Sequence, residues 1–552
     1  MTINKSFQEE AKICYTDDMA KGVTTGTFDF EVIRQADILY VDKTKYLYKL
    51  VSKPENRRCF VSRPRRFGKS LCVNTLEKIF QGRRDLFDGL YISQTDYDWK
   101  KYPVIRFSFG SCSAKNGTQL NEWILGKLLD IAEGYGIELI RKKYAGDAFS
   151  ELIEKISDKY GQIVVLFDEY EMVITDNIYN ENIEEMRDVL SSFYQVLKDM
   201  DSYIHFVFIT GVTKYTKLSL FSKLNNLRDI SMDSEYAEMF GYTQEELEHY
   251  FAEHIEEKMA INGMDRETLL AGVKKQYNGY RFSPNAKTVY NPVSVGSFMS
   301  SSNIGFGNYW IDTGGRLTML YDIADRCYFD IADDLAIPVR ESFFSTFDII
   351  DIARGKTDKN FFKFLLYQMG YLTIRAMDPD IDAYYFDFPN NEVRMCYSDG
   401  LLSHMIEPYD INLYGILSFR ILKAFATDKM DAMIEYMKQI YASIPYNVGS
   451  GASRSNEYHY QGIMCAILYS LGITVNMEEL VATGRLDAVA ENRNAIYIIE
   501  FKRDKSARDA ISQIRANHYA DKFLSKGKKI KLIGINFSSK DRNINDYLVE
   551  DL

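Results

Sequence analysis

The 552 residues are 46% hydrophobic and 26% charged, with 40 Tyr, 34 Phe and only 10 Pro; this excludes a disordered or low-complexity chain and, at about 150 residues per domain, calls for three or four cores. A net charge of −11 excludes a surface coated with phosphate-binding cations, so any nucleic acid must meet a local basic patch. Seven cysteines without a CxxC pair or a histidine cluster argue against a disulfide framework or a zinc site, and the absence of an apolar leader or membrane-length run makes a cytoplasmic chain without membrane contact the expectation.

The first half alternates short apolar strands with longer helical stretches, the pattern of an α/β parallel sheet flanked by helices. The first strand, Arg58–Ser62, runs into Arg63-Pro64-Arg65-Arg66-Phe67-Gly68-Lys69-Ser70 and then a helix through Leu71, Leu76 and Phe80. Gly-Lys-Ser before a helix is the end of a P-loop. Gly68 lets the backbone approach phosphates, Lys69 reaches β/γ oxygens, Ser70 ligates Mg²⁺, and the helix N-terminus favours the anion. Arg63 departs from the usual first glycine, and a basic turn before a helix reads the same way in isolation. Nucleotide contact is expected at Arg65, Arg66, Phe67, Gly68, Lys69, Ser70 and Leu71.

Further strands follow at Val104–Phe109, Ile163–Phe167 and Ile204–Ile209. The third strand, an unbroken apolar run, ends in Asp168 and Glu169. Asp168 is placed to hold Mg²⁺ and Glu169 to polarise the attacking water. The fourth ends in Thr210, a polar residue able to sense the γ-phosphate. These elements come in P-loop order, so ATP with Mg²⁺ is the expected ligand.

Near residue 235 the texture turns helical. Thr243-Gln244-Glu245-Glu246 is a capping box, and a second helix is predicted from Asp265 to the turn at Asn278-Gly279. Residues 301–410 mix strand and helix fragments without an interpretable motif. Beyond 411, Glu457 opens a helix, and Gly484–Ala490 with Ile496–Lys502 reads as a β-hairpin. Alternation puts Glu500 and Lys502 on one face, with Asp487 on the partner strand. Asp487 and Glu500, with Glu457 as a third carboxylate, are candidate Mg²⁺ ligands, and Lys502 would offset charge developing at a phosphodiester. Residues 500–531 hold ten Lys/Arg against four acids, which fits a DNA or RNA backbone surface.

With Tyr40–Thr44, Phe208–Val212, Phe221–Leu227, Tyr277–Tyr280 and Tyr290–Pro292 added to the loop, the Asp168-Glu169 pair and the hairpin, most of the chain resembles bacterial AAA-ATPase-like proteins carrying a C-terminal PD-(D/E)XK nuclease-superfamily domain. The resemblance implies an α/β fold with a P-loop AAA-like domain at 1–235 and a helical lid at 236–300. A middle α+β region without an assigned role would occupy 301–410, and an α/β restriction-endonuclease-like domain 411–552. It implies Lys69 and Ser70 at phosphate and Mg²⁺, Asp168 and Glu169 as the acidic pair, and Asp487, Glu500 and Lys502 as the nuclease core. It also implies Gln513 and Tyr519 as nucleic-acid-facing positions. The expected function is an ATP-binding, ATP-hydrolysing protein, with a homo-oligomer as one expected partner state, whose Mg²⁺-dependent nuclease-like domain acts on DNA or RNA in defence against mobile DNA. The alternative is a nucleotide-dependent switch or scaffold whose nuclease-like domain binds without cleaving.

Overall fold

A computed structural model describes residues 20–552, except 215–225, 311–319, 322, 325–328, 330–333, 341–357, 406–410, 445–456, 474 and 482–483. Strands β1 (Arg58–Ser62), β2 (Val104–Ser108), β3 (Ile163–Asp168), β4 (Ile204–Gly211) and β5 (Arg228–Asp229) form a parallel sheet in the order β2-β3-β4-β1-β5. Every residue of β3 is buried, as an unbroken apolar run requires when both faces are covered. Ser62 lies beside Gly211, and Ser108 beside Asp168, so the carboxyl ends of four strands finish level. In open parallel sheets ligands collect at that edge.

Helices Gln244–Tyr250, Ala252–Asn262, Arg266–Tyr277 and Pro292–Ser300 build a second core from Leu247, Phe251, Ile255, Leu269 and Phe298. Val41, from the segment before β1, packs inside it. Both halves of the Thr243–Glu246 capping box form, and Asp265 caps the helix that stops at Asn278.

Farther along, a three-stranded sheet takes the order β6 (Val339–Arg340), β8 (Ala383–Asp387), β7 (Thr373–Asp378). The helix Lys359–Met369 ends at Gly370, whose φ of 86° and contact with Pro64 leave no room for a side chain. Asn390 donates to the Asn278 carbonyl at 2.8 Å, and Arg281 N donates to Thr373 Oγ1 at 2.7 Å. This region therefore abuts both the front of the phosphate loop and the end of the helical core. Helix Asn391–Met405 packs along helix Glu457–Ser470.

The last sheet runs β13-β12-β11-β10-β9. Strands β9 (Val475–Val481), β10 (Gly484–Glu491) and β11 (Ala495–Arg503) are antiparallel neighbours. Helix Ala507–Ala516 then crosses over to β12 (Lys529–Ser538), parallel to β11, and β13 (Asn543–Asp551) closes the edge. Helix Glu457–Ser470 packs on β9 and β11, so the strands carrying Asp487 and Glu500 lie in the middle of this domain.

Candidate nucleotide and metal sites

The phosphate loop turns on two left-handed residues, Arg66 (φ 69°) and Gly68 (φ 87°). The second brings the chain into helix Lys69–Phe80, whose N-terminus has no side-chain cap, leaving backbone N–H groups for a ligand. Arg63 does not face that ligand. It is buried, donates to the carbonyls of Ser62 (2.8 Å), Ser231 (2.7 Å) and Tyr236 (3.1 Å), and stacks 4.2 Å from the Phe282 ring. The residue in the usual first-glycine position is thus a strut fixing the loop to the start of the helical core. Phe67 is also buried, edge-on to Tyr280 and Phe282, and with Gly68 and Leu71 it lines a cavity.

Lys69 is buried and donates to the carbonyls of Arg63 and Pro64, both at 2.9 Å. Burial pushes its pKa down, against the pull of Asp168, Glu171 and Glu169. Asp168 and Thr210 meet directly: Thr210 Oγ1 donates to Asp168 Oδ1 at 2.6 Å. Ser70 is half-buried one residue into the helix, and Arg65 and Arg66 are half-buried in the loop. Glu169 adopts a left-handed φ of 56°, a conformation that carries strain in a residue with a side chain and clusters at functional sites. Burial and then Asp168 raise its pKa.

Three features here were not visible in the sequence. Glu171, two residues past Glu169, is buried with its carboxyl pushed up to about 7 by burial. A cavity of about 120 Å³ opens beside Gly68, lined among others by Tyr40, Lys43, Leu71, Thr75 and Tyr242. Lys43, in its lining, donates to both oxygens of the capping-box Glu246 (2.8 and 2.6 Å) and to the Glu238 carbonyl (2.9 Å).

At the other site, Asp487 Oδ2 accepts from Phe501 N at 2.8 Å, which fixes that carboxylate beside Glu500. Glu500 is 1% exposed. Its Oε1 accepts from Lys502 Nζ at 3.0 Å, and Lys502 also donates to the Phe501 carbonyl at 2.8 Å. Glu500 Oε2 has no partner among the described residues. Burial first, and Asp487 second, hold the Glu500 carboxyl well above the usual carboxylate range, with Lys502 opposing. Two carboxylates and the Phe501 carbonyl are the hard oxygen donors Mg²⁺ prefers, and an unpaired buried carboxylate oxygen fits such an ion. Glu457 begins helix Glu457–Ser470, but its side chain lies outside the described residues. Among the described residues no third Asp, Glu, His or Cys joins Asp487 and Glu500.

Two expectations need correction. The basic run of 500–531 is partly neutralised, with three acids from outside it, Glu491, Asp428 and Glu550, joining the pairing. Lys526 and Lys528 pair with Glu491, Lys531 with Asp428, Arg515 with Glu550, and Arg503 with Asp504, while Lys502 pairs with Glu500. Exposed Lys505, Arg508 and Lys529 remain outside any ion pair among the described residues. Tyr519 is buried with Ile511, Ile514 and Phe523, and its hydroxyl accepts from Asn517 at 2.9 Å; it anchors the crossover helix instead of presenting a nucleic-acid surface. Gln513 is half-buried on the same helix. No helix among the described residues is long and apolar enough to cross a membrane.

Residues 24–221 match a family described as predicted AAA-ATPase, and residues 455–547 match the PD-(D/E)XK nuclease superfamily. The chain is 32% identical over 553 residues to "Uncharacterized protein in vnfD 5'region" of Azotobacter chroococcum mcd 1, covering 96% of this chain and 99% of that protein. It also aligns with the Aeropyrum pernix ORC2 protein, solved in ADPNP-ADP complexes, over 66% of this chain and 92% of that one. At 12% identity and a TM-score of 0.29, that likeness is too slight to inform either site. The chain belongs to the family of predicted AAA-ATPase-like proteins that carry a C-terminal PD-(D/E)XK nuclease-superfamily domain.

Proposed function

We propose that this protein binds and hydrolyses ATP at the Arg65–Leu71 loop and uses its C-terminal domain as a Mg²⁺-dependent nuclease on DNA or RNA. The ATP half is supported by the buried Lys69, Asp168 and Thr210 beside an uncapped helix N-terminus. On this reading Lys69 leaves the Arg63 and Pro64 carbonyls for the more strongly charged phosphate oxygens, and Asp168 with Ser70 holds the nucleotide's Mg²⁺. Thr210 keeps Asp168 oriented, Glu169 polarises water, and the cavity at Tyr40, Leu71 and Thr75 receives the nucleoside.

The nuclease half is carried by one observation: half-buried Asp487 beside the buried Glu500–Lys502 pair, with one Glu500 oxygen unpaired among the described residues. Asp487 and Glu500 would hold Mg²⁺, the Phe501 N–H keeps Asp487 in place, and Lys502 offsets charge at the phosphodiester. Bound there, Mg²⁺ supplies Lewis-acid activation of water and of the phosphate. Helix Asn391–Met405, packed along helix Glu457–Ser470, joins the two halves and gives nucleotide binding a route to the metal site. A nuclease under nucleotide control suits defence against mobile DNA. The partly neutralised basic run favours a second reading, a nucleotide-dependent switch whose C-terminal domain binds nucleic acid or a partner without cutting. Two titrations test the primary reading: ATP into wild type and Lys69→Ala, and Mn²⁺ into wild type and Asp487→Asn. Each substitution should abolish its own binding isotherm and spare the other; an unchanged isotherm would remove that site from the reading.

A further inference from the structure

The turn after β3 carries two glutamates that leave in opposite directions. Glu169 lies over Gly110, just beyond β2, the edge strand on the far side of β3 from the phosphate loop. Glu171 lies over Gly211, the last residue of β4. Gly211 sits beside Ser62, and its carbonyl accepts from Arg63 N at 3.0 Å, so this second carboxylate reaches across β4 to the entrance of the phosphate loop. A methyl group on Gly211 would overlap both Glu171 and the Tyr170 ring, so that position needs the smallest residue.

Glu171 is 3% exposed. One oxygen accepts from Val212 N at 2.5 Å, and the other has no partner among the described residues. A glutamine would make the same bond to Val212, so that bond does not require an acid. What the acid adds is the unpaired oxygen, and leaving a buried acceptor unmade costs stability. Such a cost is typical of a functional site. The charged and titratable groups facing it are Lys69 from the phosphate-loop helix, Glu169 from its own turn and Tyr194 from helix Ile183–Asp199. The buried hydroxyl of Thr213, one residue past Val212, is also without a partner among the described residues.

We propose that Glu171 is a second water-handling carboxylate of the phosphate site, approaching it over Gly211 while Glu169 lies over Gly110. The proposal rests on the ATP-hydrolysis reading. The water oxygen bonds to the γ-phosphorus as the bond to the bridging oxygen breaks, that electron pair leaves on ADP, and the water's proton passes to the Glu171 carboxylate. Steady-state ATPase, ATP affinity and melting temperature of the full-length Glu171→Gln protein, beside wild type and Lys69→Ala, test it. The expected result is ATP affinity within about twofold of wild type, kcat lowered by about 10²-fold or more, and a melting temperature no lower than wild type. A kcat within twofold of wild type overturns the assignment, as does a loss of kcat accompanied by weaker ATP binding or a lower melting temperature. A wild-type chain that binds ATP without turning it over overturns the hydrolysis reading itself, and this proposal with it. A variant kcat within twofold of an active wild type, with binding lost in Lys69→Ala, overturns this proposal alone.

Discussion

Replacing Lys502 by Met tests whether the C-terminal group is a poised metal site or an ordinary ion pair. The ammonium lies 3.0 Å from Glu500 Oε1, and the side chains are 11% and 1% exposed. At an effective dielectric of about 20, that separation corresponds to about 5.5 kcal/mol of attraction. Breaking a buried pair by removing one partner costs about 3–5 kcal/mol, and the lower end applies here because Glu500 escapes by taking up a proton. Its folded carboxyl is already raised by burial and Asp487, and losing Lys502 raises it further. A raised folded value means stability that is present below the unfolded value and lost as pH rises through the folded one. The Lys502→Met penalty should therefore be small at pH 6 and reach about 3 kcal/mol at pH 8. At 2–4 °C per kcal/mol this lowers the melting midpoint by roughly 6–12 °C. Mn²⁺ at 100 times its dissociation constant should return about 2.7 kcal/mol. Thermal melts at the two pH values, with and without Mn²⁺, read all three effects. A variant as stable as wild type at pH 8, or one that Mn²⁺ does not restabilise, would refute the reasoning.

Other expectations follow from the first site. Asp168→Ala should remove the Mg²⁺ dependence of ATP binding, and Glu169→Gln should keep binding while stopping turnover, as calorimetry and phosphate release would show. Lys43→Met removes the ammonium that ties the cavity lining to Glu246 and the Glu238 carbonyl, and should weaken ATP affinity about tenfold, near 1.4 kcal/mol, in the same titration. Burial holds Glu171 at about 7 against an ordinary 4.5, so wild type should lose up to about 3 kcal/mol relative to Glu171→Gln as pH rises from 4.5 through 7. Paired melts at pH 5 and 8 measure that slope.

What could be read from the sequence was local. The capping box Thr243–Glu246, the Asp265 cap and the stop at Asn278 depend on neighbours within one turn, and all three form. Strand alternation brought Asp487 opposite Glu500 because a two-residue period leaves one register for a short hairpin. Non-local features were not legible. Arg63 looked like a lost glycine because its partners, Ser231, Tyr236 and Phe282, are 168 or more residues away. The cavity joins Tyr40, Gly68 and Tyr242, three segments that no spacing rule connects. The basic run overstated its positive surface because Asp428 and Glu491 come from outside it. Nothing in the sequence singles out Glu171; Gly211 beneath it, and a second oxygen without a partner among the described residues, set it apart.

The central claim is that nucleotide occupancy at one end of the chain governs metal-dependent cleavage at the other. The most direct measurement is cleavage of mixed single- and double-stranded DNA and RNA by the full-length protein in Mn²⁺ or Mg²⁺. It should be run without nucleotide, with ATP and with ADP, alongside Lys69→Ala and Glu500→Gln. The account predicts divalent-dependent cleavage whose rate changes with ATP in wild type, ignores ATP in Lys69→Ala and disappears in Glu500→Gln. Cleavage no greater in wild type than in Glu500→Gln under every nucleotide condition would contradict it.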